Sequence, residues 1–181
     1  QIAAAVADSG HRVLYLSGEE SPEQIRMRAE RLGALHPRLW LAPALTVGEL
    51  AAHLTAVQPD LVLIDSIQTL HDPSLSSAPG SVAQIRECTA AIVAEAKASG
   101  VATILVGHVT KDGALAGPRV LEHLVDTVLS FEGDRSHGLR LLQAHKHRFG
   151  TTAELGVFEM SDRGLTAVAD PSQLFLADRR P

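Results

Sequence analysis

The chain has 181 residues, enough for one domain of ordinary size, and 45% of them are hydrophobic. Its net charge of −5 argues against attraction of the whole surface to nucleic-acid phosphates. The single cysteine, Cys88, excludes an intrachain disulfide and a zinc site made of cysteines alone. Since no apolar run is long enough to span a bilayer and no signal peptide is evident, the sequence predicts a cytoplasmic protein with no membrane partner.

Strands and helices alternate through the first two-thirds of the chain. The first seven residues favour a helix. Short apolar segments predict strands at 13–16, 39–41, 61–64 and 101–106. Helices are predicted to begin after Ser21 and Thr46, because each is followed three positions later by Gln or Glu in a capping-box pattern. Another helix is predicted from Ser81 to Ser99, with Val82 on its apolar face and Gly100 at its end.

The last third of the chain has a different pattern. Four short segments separated by Gly-containing turns predict strands at 127–131, 139–144, 156–160 and 165–168. Alternating strands and helices predict an α/β fold with a mostly parallel sheet flanked by helices. We expect the closing strands to extend that sheet in antiparallel fashion at one edge.

Polar side chains follow three of the predicted strands, and ligands bind outside the carboxyl ends of the strands in a parallel sheet. Asp65 comes directly after four apolar residues, the pattern of a Walker B strand, whose carboxylate holds the water shell of Mg²⁺ beside a nucleotide. Asp65 and its neighbour Ser66 are therefore candidates for binding ATP and Mg²⁺. The alternative is an aspartate that only caps the next turn.

Glu19 and His108 also follow strands. A carboxylate at Glu19 could orient or deprotonate the water that attacks a γ-phosphate. A neutral His108 could hydrogen-bond the γ-phosphate and signal its loss to the loop that follows. The alternative for Glu19 is a glutamate that stabilises the start of the helix at Pro22, a role that we assign to Glu20 instead. The alternative for His108 is a partly buried structural histidine.

The densest basic cluster, 145–148, is predicted to end a strand. Lys146 and Arg148 would share one face and suit an anion, the phosphate of a nucleotide or of DNA. His145 and His147 would share the other face, but no Cys or carboxylate is close enough in sequence to complete a metal site. A solvated basic strand end remains the alternative.

Two predicted loops, 70–80 and 111–118, are long for connections in a compact domain, and such loops are often functional. Hydrogen-bonding or basic side chains lie in or beside both. Such side chains suit contact with the phosphates of a single DNA strand. The DNA-binding candidates in and beside the loops are Gln68, Ser77, Lys111 and Arg119. Neither loop contains an aromatic residue, so stacking on bases is not predicted.

In their order along the chain, six sequence blocks resemble the RadA (Sms) family of bacterial DNA repair proteins: 15–21, 64–69, 77–82, 86–89, 106–111 and 116–123. The resemblance implies a RecA-like P-loop NTPase core that hydrolyses ATP and forms hexameric rings on single-stranded DNA. Such rings drive branch migration of recombination intermediates alongside RecA. The resemblance also implies that Asp65 is the Walker B aspartate, Glu19 the catalytic glutamate and His108 the sensor. The two loops would face DNA in the channel of the ring.

The resemblance extends to the family's Lys-Asn-Arg-Phe-Gly block, which corresponds to 146–150. It implies that Lys146 and Arg148 act at the subunit interface and in DNA binding, although His147 stands where the family has Asn. No part of the chain reads Gly-x-x-x-x-Gly-Lys-Ser/Thr, and in the family that loop would lie just before Gln1. The family also has an N-terminal four-cysteine module and a C-terminal Lon-protease-like domain, and neither is found in this sequence. Zinc is expected only in the four-cysteine module.

We therefore expect 1–170 to be an ATPase core without its phosphate-binding loop, and 171–181 to be a linker toward the absent protease-like domain. Alone, such a chain is expected to hold ATP weakly and to be inactive. The alternative function is a RecA-fold ATPase with a regulatory or signalling role and no DNA translocation. A non-catalytic assembly module is less favoured, because Glu19 and Asp65 are present.

Overall fold

The computed structural model describes residues 1–108, 121–133 and 138–169. The chain divides into two compact units, Gln1–Val125 and Asp126–Pro181. Among the described residues, no helix combines the length and the apolar character needed to cross a membrane.

Helices and strands alternate in the first unit. Its helices are α1 (Ile2–Asp8), α2 (Pro22–Arg31), α3 (Val47–Val57) and α4 (Val82–Ser99). Its strands are β1 (Val13–Ser17), β2 (Leu39–Pro43), β3 (Leu61–Asp65) and β4 (Ala102–Val106). The strands form a parallel sheet in the order β2-β1-β3-β4. Ser17 of β1 pairs with Asp65 of β3, and Asp65 pairs with Val106 of β4. The carboxyl ends of these three strands therefore lie side by side.

Strand β3 is the centre of the unit, because apolar groups cover both faces of the sheet. Residues 61–64 are all buried. On one face Val62 and Ile64 pack with the apolar side of α3 and α4, and on the other Leu61 and Leu63 pack with α1. An uninterrupted apolar run is what a strand buried on both faces requires.

The predicted caps of α2 and α3 are confirmed. Ser21 Oγ accepts a hydrogen bond from the Gln24 amide at 3.3 Å, and Thr46 Oγ1 accepts one from the Glu49 amide at 3.2 Å. Both are complete capping boxes, with the Gln or Glu side chain bonded back to the cap.

Helix α4 ends at Gly100 as predicted, in the left-handed conformation at φ 70°. The prediction that Val82 lies on its buried face is wrong, because this side chain is 53% exposed in the first turn. Two polar residues that the apolar pattern passes over, Gln84 and Thr89, are buried instead beside Ile85.

The second unit is an antiparallel sheet in the order β5-β6-β7-β8, with strands Thr127–Gly133, Leu139–His147, Leu155–Ser161 and Gly164–Ala167. The strands occur where the sequence predicts them, but among the described residues they form a four-stranded sheet of their own. Each strand pairs with its neighbour in sequence. Such local pairing closes only short loops and therefore costs little chain entropy. The expected linker, 171–181, lies outside the described residues.

Candidate active site

Three of the predicted site residues meet at the carboxyl end of the parallel sheet. One oxygen of Glu19, one oxygen of Asp65 and one ring nitrogen of His108 all lie within 4.8 Å of one another. Asp65 is the last residue of β3, and Glu19 and His108 each follow a strand by two residues. The strand register therefore assembles the cluster from distant parts of the chain.

Glu19 is held by two side chains. Ser66 Oγ, which is fully buried, donates to Glu19 Oε1 at 2.7 Å. His108 Nε2 lies 3.1 Å from Oε1 and 3.2 Å from Oε2. Because a carboxylate can only accept, Nε2 must be the nitrogen that carries hydrogen in this arrangement. The Ser17 hydroxyl stabilises the turn that follows β1 by accepting hydrogen bonds from the Glu19 and Glu20 amides at 3.3 and 3.1 Å.

Asp65 is held by a residue that the sequence reasoning missed. The Tyr15 hydroxyl donates to Asp65 Oδ2 at 2.5 Å. Burial is the main cause that raises the pKa of Tyr15 above its usual range, and the hydrogen bond to Asp65 and the charge of Asp65 add to it. The signal in the sequence was positional, because Tyr15 lies two residues before the end of β1 and so faces the same side of the sheet as Ser17.

Gly18 makes the close approach in this turn possible. A Cβ at this position would lie 2.2 Å from Thr69 Oγ1 and 3.2 Å from the Ala44 carbonyl oxygen. Its amide donates to the Asp65 carbonyl oxygen at 2.9 Å. Since Thr69 Oγ1 also donates to the Ser66 carbonyl at 2.8 Å, the glycine lets two site turns pack on each other. The Asp65–Ser66 peptide bond is cis.

Glu20 turns away from the cluster. Its Oε2 lies 2.6 Å from Nη2 of Arg28, which belongs to α2. The two adjacent glutamates thus have different partners, since Glu19 contacts residues at the strand ends and Glu20 contacts a side chain of α2.

Gln68 connects the cluster to the loop that follows β3. Its Nε2 donates to the His108 carbonyl oxygen at 3.1 Å. Its Oε1 is buried and has no hydrogen-bond partner among the described residues. The Ser77 carbonyl oxygen accepts from the Gln84 side chain at 2.9 Å, so it is the backbone of this loop that is anchored. Lys111 and Arg119, the other predicted DNA contacts, lie outside the described residues.

The basic cluster belongs to the second unit. Lys146 is in β6 and Arg148 follows the strand. Arg148 Nη1 lies 2.6 Å from Asp126 Oδ1, a partner that the sequence did not predict, and both side chains are about half exposed. His145 and His147 each hydrogen-bond a hydroxyl group of β5, at 2.7 and 3.1 Å.

Comparisons with known proteins agree with the fold and with the family resemblance. The AAA domain family matches residues 2–114. DNA repair protein RadA of Halalkalibacterium halodurans is 52% identical over 179 residues, which are 99% of this chain and 39% of that protein. RadA of Bacillus subtilis is 49% identical over the same shares, so the chain spans about two fifths of these curated relatives. Hence the resemblance to the RadA family is confirmed.

A solved structure supports the fold independently of close sequence similarity. The crystal structure of a KaiC-like protein from Pyrococcus horikoshii superposes with a TM-score of 0.70 at 17% identity, over 92% of this chain and 80% of that one. The predicted RecA-like α/β class is confirmed.

Proposed function

This chain belongs to the AAA domain family, and from that premise we propose that it is the ATP-hydrolysing, DNA-contacting core of a DNA repair ATPase of the RadA type. The observation that carries the proposal is the Glu19–Asp65–His108 cluster. It lies at the carboxyl ends of a parallel sheet, where this class of fold binds ligands.

The oxygen-rich part of the cluster fits Mg²⁺. Hard cations prefer oxygen ligands. Glu19 and Asp65 offer carboxylate oxygens within 4.8 Å of each other, and the Ser66 hydroxyl lies 2.7 Å from Glu19. We assign Asp65 to the water shell of Mg²⁺ and Ser66 to the nucleotide side of the site. When bound, the ion neutralises charge on the phosphates of ATP. Tyr15 holds Oδ2 of Asp65, which fixes the direction of the carboxylate.

Glu19 is suited to orient and deprotonate a water molecule. A carboxylate has about four acceptor positions. Ser66 uses one and His108 makes two long contacts, so Glu19 retains capacity for water. The bonds from Ser66 and His108 also fix the side chain, and a fixed base loses little freedom on reacting.

His108 is suited to sense the state of the site. Its ring contacts Glu19, and its carbonyl oxygen accepts from Gln68. A γ-phosphate that competes with Glu19 for the ring would therefore displace His108, which is hydrogen-bonded to Gln68 just before the loop at 70–80. This path links hydrolysis to the segment that we assign to DNA.

The remaining contacts to nucleotide and DNA come from outside the cluster. We assign Lys146 and Arg148 to phosphate of ATP or DNA, and Gln68, Ser77, Lys111 and Arg119 to the phosphates of single-stranded DNA. Since the net charge is −5, local groups rather than the whole surface must attract DNA. Assembly into a hexameric ring, cooperation with RecA, branch migration and a cytoplasmic location belong to this proposal.

The test uses a protein in which this chain follows a complete Gly-x-x-x-x-Gly-Lys-Ser/Thr loop, because those backbone amides and that lysine supply most of the affinity for phosphate. Single-stranded DNA should raise its ATP turnover, and Asp65→Asn should lower turnover at least about 100-fold. Asp60→Asn is the matched control, since Asp60 caps the opposite end of β3 by accepting from the Arg12 amide. Equal turnover in the Asp65 variant and the wild type would refute the assignment.

A regulatory ATPase with no DNA role gives a different result in the same experiment. Its turnover would depend on Asp65 but would not respond to single-stranded DNA. Neutralising Lys111 and Arg119 would then leave the affinity for DNA unchanged.

A further inference from the structure

Gln84 is a buried polar residue that the catalytic cluster does not use. It lies in the first turn of α4 and is 1% exposed. A buried amide must bond both its oxygen and its nitrogen or lose stability. Its partners therefore show what the side chain holds.

Three of these bonds reach the loop between β3 and α4, and the fourth is a 3.7 Å contact from Cys88 Sγ to Oε1 within the helix. Gln84 Oε1 accepts from the Asp72 amide at 2.9 Å, and Nε2 donates to the Asp72 carbonyl at 3.1 Å. Nε2 also donates to the Ser77 carbonyl at 2.9 Å. One side chain thus binds the backbone at both ends of the segment 72–77.

Among the described residues, His71, just before the segment, bonds to the backbone at the start of α3, and the other hydrogen bonds of the segment are local. Asp72 Oδ1 accepts from the amide and the hydroxyl of Ser74 at 2.9 and 2.7 Å, which closes a local turn. The Leu75 amide donates to the Asp72 carbonyl at 3.2 Å. These bonds lie within the segment, so Gln84 is what fastens both of its ends to the helix.

We propose that Gln84 is a positioning residue that clamps the segment 72–77 in the shape in which it contacts single-stranded DNA. The inference rests on the proposed function, which assigns this loop to DNA. Held at both ends, the segment loses little conformational entropy when its serine hydroxyls and amides meet phosphates. Without the clamp, binding itself must order the segment.

Thr89 provides a matched control on the same helix. It is fully buried, as Gln84 is, but its hydroxyl has no hydrogen-bond partner among the described residues. Thr89→Val keeps the side-chain shape and removes no hydrogen bond to the described part of the loop. Gln84→Met likewise keeps the length of the side chain and removes every bond to the loop.

The first measurement is hydrogen exchange of the backbone amides in this chain. Gln84→Met should speed exchange at the Asp72 amide about tenfold, the effect of losing hydrogen bonds of ordinary net strength. Thr89→Val should leave exchange there unchanged. If Gln84→Met does not fold, Gln84→Asn serves instead, because its amide is one methylene too short to reach both Asp72 and Ser77. Unchanged exchange in the folded variant would overturn the clamp.

The second measurement is the Kd for a fluorescent oligothymidylate, in the protein that carries the complete phosphate-binding loop. Gln84→Met should raise the Kd about three- to tenfold while Thr89→Val leaves it unchanged. A loosened segment with an unchanged Kd would refute the role in DNA binding and leave the proposed function intact. A wild-type protein that binds no oligothymidylate would contradict the DNA-contacting function itself, and with it this role of Gln84.

Discussion

Replacing Asp65 with Asn should lower the pKa of Tyr15. The hydroxyl donates to Asp65 Oδ2 at 2.5 Å, and ionising it would place two negative charges side by side. A hydrogen bond to a charged group contributes roughly 1.5–3 kcal/mol, and one pKa unit corresponds to about 1.4 kcal/mol. We therefore expect the pKa to fall by about one to two units. It should stay above the ordinary value, because burial is the larger cause of the shift.

The assay is direct, because Tyr15 is the only tyrosine in the sequence. Its ionisation can be followed by the rise in ultraviolet absorbance near the tyrosinate band as the pH increases. Asp60→Asn removes a carboxylate at the far end of β3 and should leave the titration unchanged. An identical Tyr15 titration in Asp65→Asn and the wild type, with circular dichroism showing that both remain folded throughout, would show that the hydrogen bond is not populated in solution.

Three further predictions concern stability, each measured as the free energy of unfolding in urea. Gly18→Ala should destabilise the protein by about 1–3 kcal/mol, because its Cβ would lie 2.2 Å from Thr69 Oγ1 and 2.7 Å from Thr69 Cβ; adding Thr69→Gly, which removes both atoms, should restore part of the loss, and additive effects would contradict the clash. Thr46→Ala should cost about 1 kcal/mol by removing the cap of α3, and no loss would show that the cap is dispensable. Gln58→Gly should stabilise by up to about 1 kcal/mol, because Gln58 ends α3 at φ 48°; a loss would mean that its side chain matters more than its backbone.

The sequence carried enough information to place most elements of the first unit, because its signals are local. Apolar runs bounded by polar strand ends, together with capping boxes at Ser21 and Thr46, depend only on residues close in the chain. The same local signals located the four closing strands. Which strands pair is a non-local property, and for this reason the separate antiparallel sheet was not foreseen.

The site residues likewise fall into those that a local sequence signal identifies and those that only the fold reveals. Glu19, Asp65 and His108 could be selected because each follows a strand that the sequence identifies, and parallel strands bring their carboxyl ends together. Tyr15 and Gln84 were not selected: the only signal for Tyr15 is its position in β1, and a glutamine in a helix has no distinctive pattern until its partners are known. Both make their important bonds across the fold, to Asp65 and to the backbone of a loop.

We propose that Glu19 acts on water in an ATPase site, and single-turnover hydrolysis by the Glu19→Gln variant measures that role. Gln keeps the shape of the side chain and can still accept from Ser66, but it cannot take a proton. In a protein that carries the complete phosphate-binding loop, we predict unchanged affinity for ATP and hydrolysis slowed by about 100-fold or more. Hydrolysis at the wild-type rate by Glu19→Gln would show that Glu19 does not act on the attacking water.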